Sequence, residues 1–204
     1  MRKSLIILFL IYISMTGCQN TGKNIQANPT YSPAVLSLIQ KLGSENINIS
    51  SKAREDILNL EEEALYPLID SLKDENPLIR GHAAHILGQG GYEEAVIPLI
   101  STLEDKNKIV RLWVIFALGQ LKNPKAVDPL ILKLRDENKL IRVYSIIALY
   151  SIGNDKAMEA IEKALAEEEN PFVINVTENI LNKDENPEVI DLNLPLNKGF
   201  ISEK

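Results

Sequence analysis

One cysteine, one tryptophan and two histidines in 204 residues leave little for redox chemistry or metal binding to use. The single cysteine, Cys18, has no partner for an intramolecular disulfide. Two histidines, His82 and His85, fall short of a closed metal site, so no metal and no other cofactor is expected. Basic residues number 22 against 28 acidic, a net charge of −6, which leaves no cationic groove for nucleic acid. Nothing in the chain matches a Gly-rich phosphate loop or a nucleophile elbow, and the protein reads as a non-enzyme. The only unbroken apolar run, Leu5 to Met15 with Ser14 inside it, is shorter than the roughly 20 residues a membrane-crossing helix needs.

What the chain has in quantity is self-similarity. Pro67, Pro98 and Pro129 recur every 31 residues, as do Asp74, Asp105 and Asp136, Asn76, Asn107 and Asn138, and Arg80, Arg111 and Arg142. A fixed period in this range marks a stacked array in which one helical hairpin recurs and buries its neighbour's apolar face. In each clear unit a first helix, A, begins near Ala64, Ala95 or Ala126, with an apolar stripe such as Leu68, Ile69 and Leu72. The proline falls in its first turn, where a missing amide hydrogen costs nothing. Asn76, Asn107, Asn138 and Asn170 stand where the second helix, B, needs an N-cap. Gly88, Gly119 and Gly153 lie near the ends of the B helices.

The proline-bearing helix A, the Asp six residues ahead of an Arg, and the apolar run ending Ala117-Leu118-Gly119 resemble HEAT-like repeats, of the type also found in phycobilin lyases. The resemblance implies an all-α fold, a right-handed α-solenoid of about five helical hairpins over residues 32–183. It also implies a structural ladder between successive repeats, made by Asp74, Asp105 and Asp136 with Arg80, Arg111 and Arg142. The competing use of those arginines is a basic binding patch. Deoxyhypusine hydroxylase, another protein of this fold, uses His-Glu pairs for iron, but His82 is followed here by Ala83 and His85 by Ile86. Lyase activity would need a cytoplasmic chromophore, at odds with an export signal. Both end units depart from the pattern: the first lacks the recurring proline and arginine. The last has Ala160 and Ile174 in their places, with one residue inserted around Glu167 to Glu169.

Offsets three, four and seven from the recurring arginine should face the core. Offsets one, two, five and nine fall on the opposite side of helix B, which in a stacked array lines the inner surface. Those positions are Gly81, His82, His85 and Gln89, then Leu112, Trp113, Phe116 and Gln120, then Val143, Tyr144, Ile147 and Ser151, and none is Lys, Arg, Asp or Glu. Two readings stand. Either His82, His85, Leu112, Trp113, Phe116, Gln120, Val143, Tyr144 and Ile147 form an apolar groove for a protein partner, or they fill the space between adjacent repeats.

At the N-terminus Arg2 and Lys3, the apolar run, and Met15-Thr16-Gly17-Cys18 have the three-part layout of a secretory signal peptide. It resembles a bacterial lipoprotein signal, which implies removal of residues 1–17 and an acyl chain such as palmitate on Cys18. A plain signal peptide or an uncleaved anchor is the alternative. Loss of Arg2 and Lys3 leaves 20 basic and 28 acidic residues, a net charge of −8, so membrane contact would come from the lipid alone. Residues 18–31 then read as a flexible tether, and Gln19, in place of Asp, implies the outer membrane if the envelope is Gram-negative. In the tail, 184–204, Ile190, Leu192, Leu194 and Leu196 alternate with polar residues and Pro195. That segment folds back on the array, is offered to a partner, or is a disordered end.

The function expected from these features is a lipid-anchored envelope protein whose solenoid is a scaffold or assembly factor for an unidentified protein partner, with no nucleic acid. The alternative is a metal- or ligand-binding accessory enzyme using His82 and His85.

Overall fold

The computed structural model describes residues 31–182; the signal segment, Cys18 with its tether up to residue 30, and the tail lie outside the described residues. Ten α-helices pair into five hairpins, and no strand occurs among the described residues. They are α1 (Pro33–Leu42) with α2 (Ile47–Leu58), α3 (Leu65–Ser71) with α4 (Pro77–Gln89), and α5 (Val96–Thr102) with α6 (Lys108–Leu121). Then come α7 (Val127–Lys133) with α8 (Lys139–Ile152), and α9 (Asp155–Glu167) with α10 (Pro171–Leu181). Short 3-10 turns, Glu61–Ala64, Glu93–Ala95 and Pro124–Ala126, lead into α3, α5 and α7. The expected α-solenoid of about five hairpins is therefore what the chain forms.

Local chemistry sets the hairpin. Pro67 sits at the third position of α3, inside the turn whose amides have no intrahelical acceptor. Each B helix is capped by an asparagine whose Oδ1 accepts from the amide two residues on: Asn76 from Leu78 at 2.9 Å, Asn107 from Ile109 at 2.8 Å, Asn138 from Leu140 at 2.9 Å and Asn170 from Phe172 at 3.1 Å. The acid two residues earlier orients the cap. Asp74, Asp105 and Asp136 accept the amide of that asparagine at 2.7, 2.8 and 2.8 Å, and Glu168 does the same for Asn170 at 2.9 Å. The Asp-x-Asn repeat is thus a preformed turn that closes helix A and starts helix B.

The core runs unbroken along the stack. Offsets three, four and seven of α4, α6 and α8 are all buried, from Ala83, Ala84 and Leu87 to Ser145, Ile146 and Leu149. Ser145 keeps its hydroxyl satisfied by donating to the Ile141 carbonyl at 2.8 Å. In the first unit Val35, with Ile39 and Leu42, supplies the buried stripe, and Leu36 is half-buried. Glu178, at the place of Ala84, Ile115 and Ile146, is exposed at the end of the described array.

Gly88 and Gly119 do more than end helices. A Cβ on Gly88 would lie 2.6 Å from Ala117 Cα, and one on Gly119 3.0 Å from Ala148 Cα, so these glycines let consecutive B helices touch backbone to backbone. Gly88→Val should force α4 and α6 apart and lower stability by about 1–3 kcal/mol, although valine is the better helix former. Urea unfolding checks this, with Gly91→Val as the comparison because its Cβ would meet nothing within 4 Å. Gly91 has φ +70, so any cost there is local backbone strain and leaves the packing of α4 on α6 intact.

Candidate interaction faces

The B-helix face is closed where the sequence left it open. Leu112, Trp113, Val143 and Tyr144 are buried, with Trp113 only 3% and Tyr144 2% exposed. The reading of these four as walls of an open groove is corrected: offsets one and two point at the neighbouring B helix, and their bulk fills the gap between repeats. His82, His85, Phe116 and Ile147 are half-buried, and Gln120 is exposed. His82 at offset two and the residues at offsets five and nine are therefore the ones that present edges to solvent.

An aromatic cluster crosses the repeat boundaries at that edge. The His85 ring of α4 stacks on Trp113 of α6 with centroids 4.2 Å apart, and both meet Phe116 edge-on at 5.8 and 6.1 Å. Arg54 of α2 completes it, with Nη1 3.2 Å from His85 Nδ1. A guanidinium only donates, so Nδ1 accepts and the neutral ring carries its proton on Nε2. Burial, then the Arg54 charge, lowers the His82 pKa to about 4, and the same two causes with His82 itself lower that of His85 to about 3. A cation beside Arg54, with the His85 lone pair already engaged, is opposed by charge and by geometry. Among the described residues no three His, Cys, Asp or Glu side chains converge on a metal-sized site. Trp113 emission should accordingly be blue-shifted and protected from acrylamide; red, readily quenched emission would restore the open groove.

Two inter-repeat rungs of the arginine ladder are present, Arg80 to Asp105 and Arg142 to Glu168, with a division of labour the sequence did not show. Arg80, 5% exposed, donates Nη1 to the Asp74 and Glu75 carbonyls of its own repeat at 2.8 and 3.0 Å. Its Nε and Nη2 grip both carboxylate oxygens of Asp105 in the next repeat at 2.7 and 2.8 Å. Arg111 makes the matching bond to the Asp105 carbonyl at 2.8 Å. Arg142 reaches the Asp136 carbonyl at 2.9 Å and holds Glu168 at 2.7 and 2.9 Å. Each arginine thus pairs with its own aspartate through the backbone and not through the side chain. Glu168, displaced by the inserted residue and longer by one methylene, takes the aspartate's role for Arg142. Burial alone would raise the Asp105 pKa, but the Arg80 hydrogen bonds, the Asn107 amide and nearby positive charge hold it below the ordinary value. Glu168 is lowered chiefly by its hydrogen bonds to Arg142. With their donors directed to carboxylates and carbonyls, Arg80 and Arg142 are structural and form no basic patch.

Ile47 and Ile49 of α2 and Phe172 of α10 are exposed, but the most exposed large apolar side chains lie on the A helices. Tyr66 and Ile97, at equivalent positions of α3 and α5, are 61% and 55% exposed, and Leu132 of α7 is 73% exposed. Clefts separate the same helices. One of about 460 Å³ lies between α3 and α5 against Ile97 and Pro98, and one of about 890 Å³ lies between α7 and α9 against Leu132.

These features define a stacked helical-repeat protein whose units are locked by capped turns and an inter-repeat ion ladder. The chain belongs to the HEAT-repeat family: the model for HEAT repeats matches residues 35–111 and 97–182. Among solved structures it is similar to a chain of the complex of CpcE and CpcF of phycocyanin lyase from Nostoc sp. PCC7120, at 21% identity and a TM-score of 0.67. That alignment covers 72% of this chain and 98% of that one. An engineered protein is similar at 18% identity and a TM-score of 0.50, covering 74% of this chain and 78% of the other. Human deoxyhypusine hydroxylase aligns at 24% identity and a TM-score of 0.49, with 72% and 53% covered. No curated protein matches the chain significantly.

Proposed function

We propose that this protein is a scaffold or assembly factor of the cell envelope, held to a membrane by a lipid on Cys18 and binding another protein through its HEAT-like array. The observation that carries the binding role is the coincidence of exposed apolar side chains with open clefts on the A-helix face. Tyr66, Ile97 and Leu132 lie on three successive repeats, and a cleft lies beside Ile97 and another beside Leu132. Large apolar groups left in water over consecutive repeats are suited to burial by a partner. The CpcE and CpcF structure is itself a complex of two proteins, which is in keeping with this use of the fold.

The membrane half of the proposal rests on the sequence, with residues 1–17 removed and 18–31 as the tether. Among the described residues no helix is long and apolar enough to cross a membrane. The proposed attachment is the acyl chain on Cys18. The closed B-helix face and the engaged His85 speak against an accessory enzyme built on His82 and His85.

Two measurements test the halves separately. Mass analysis of the mature protein should find an acylated Cys18 at its N-terminus, and Cys18→Ala should move the protein from the membrane to the soluble fraction. Crosslinking in the native envelope should capture a defined protein with the intact array and lose it, at unchanged helical content, with Tyr66→Glu plus Ile97→Glu. Equal capture by both would remove the A-helix face from consideration.

A further inference from the structure

The α7–α9 cleft differs from its counterpart two repeats earlier in a way that calls for an occupant. Ile131, Leu134 and Arg135 stand 62 residues after Ile69, Leu72 and Lys73, so the two clefts are equivalent, yet one measures about 890 Å³ and the other about 460 Å³. The cause lies in α9. Ala160 and Ala164 replace Pro98 and Thr102, the 3-10 turn is gone, and the residue added near Glu167 lengthens the turn that follows. The widened cleft leaves Leu132, the most exposed of the large apolar side chains described, standing at its wall.

The end of this chain has the length, pattern and charge order to fill it. Asn182 follows α10, the hairpin partner of α9, and 22 residues come after it. At about 3.3 Å per extended residue, residues 183–189 span roughly 23 Å, more than the ~20 Å length of α9. The next residues alternate, with Ile190, Leu192, Leu194 and Leu196 on one side of an extended strand and Asp191 and Asn193 on the other. Pro195 has no amide hydrogen that burial would leave unpaired. Of the cleft's charges, Glu167 is paired with Arg135 and Glu168 with Arg142, which leaves Lys163 along α9 and Glu169 at the turn to meet Asp191 and, later in the tail, Lys198. A tail running in the direction of α9 meets them in that order.

We propose that residues 190–198 of this chain lie along the α7–α9 cleft and cover Leu132. Tyr66 and Ile97 would then be the large apolar groups of the A helices left open to a partner. This assignment takes Leu132 out of the partner-facing groups of the scaffold reading, and its test needs neither partner nor membrane.

The test is disulfide trapping in the full mature chain with Cys18→Ser, so that only introduced cysteines react. Leu132→Cys with Leu194→Cys should close an intramolecular disulfide at least tenfold faster than Ser101→Cys with Leu194→Cys, whose first site is exposed on α5, outside the cleft. Ending the chain after residue 189 should also lower the melting temperature by several degrees. Equal closure rates for the two pairs, or an unchanged melting temperature on truncation, overturn the proposal. Disulfides that join two chains and increase with concentration also overturn it, and would place the tail in the cleft of a second copy.

Discussion

Taking the protein from pH 7 to pH 5 should cost on the order of 4 kcal/mol of folding stability, most of it from two histidines. His82 and His85 are held neutral in the fold, with pKa values near 4 and 3, against 6.5 for a free ring. Their folded values are depressed, so the unfolded chain binds protons first as pH falls below about 6.5. Stability is then lost at up to ~1.4 kcal/mol per pH unit for each ring until the folded values are reached. By pH 5 that is about 2 kcal/mol apiece, a large part of the 5–15 kcal/mol typical of a domain. Urea unfolding at pH 7, 6 and 5 reads the loss, and the double variant His82→Gln, His85→Gln should flatten most of it. Asp105 and Glu168 act in a different window. Their folded pKa values are also lowered, so their contribution is present above the ordinary values of 3.8 and 4.5 and is lost as the pH falls through and below them. A slope between pH 7 and 5 that survives the double variant would show that these rings are not its source.

Arg80→Ala should be the most damaging single change in the ladder, at about 3–5 kcal/mol, or roughly 10 °C in melting temperature. Both side chains of the pair are nearly dry, Arg80 at 6% and Asp105 at 10% exposed, and the contact is bidentate. Removal of the arginine strands a buried carboxylate and frees the Asp74 and Glu75 carbonyls, which Nη1 otherwise satisfies. The surface pair Lys156 and Asp128, at 61% and 72% exposed, gives the contrast: breaking it should cost under about 1 kcal/mol. Replacing both ladder partners, as Arg80→Met with Asp105→Leu, should recover much of the loss, because the penalty of an unpaired buried charge disappears with the second charge. Equal losses for the buried and surface pairs would mean that the ladder fixes register without adding stability.

Most of the hairpin was legible before any coordinates. Pro67, the Asp-x-Asn turn and the capped start of helix B are governed by groups within a few residues of one another, so a repeating string of letters specifies them. The core positions were legible too, because offsets three, four and seven share one side of a helix whatever lies beyond it. The ladder was half legible. Its spacing was visible in Asp105 and Arg80, but the use of Asp74 through its carbonyl and of Asp105 through its carboxylate depends on how far consecutive repeats are offset. Glu168 was obscured for a simpler reason, since the inserted residue breaks the count on which the pattern rests. Arg54 belongs to a first unit that lacks the recurring arginine, and nothing local pointed it toward His85.

By itself, then, the sequence determined the unit, its caps, its number of copies and the acidic surface around it. Only the tertiary structure decided which faces stay open. Helical offset gives the direction of a side chain relative to its own axis, and Trp113 and Tyr144 do lie away from the core stripe, as counted. Whether that direction meets water or another helix depends on the distance between axes, and Gly88 against Ala117 and Gly119 against Ala148 bring the B helices close enough to bury them. The A helices have no such contact glycines, α9 lacks the recurring proline, and the open clefts therefore lie on their side.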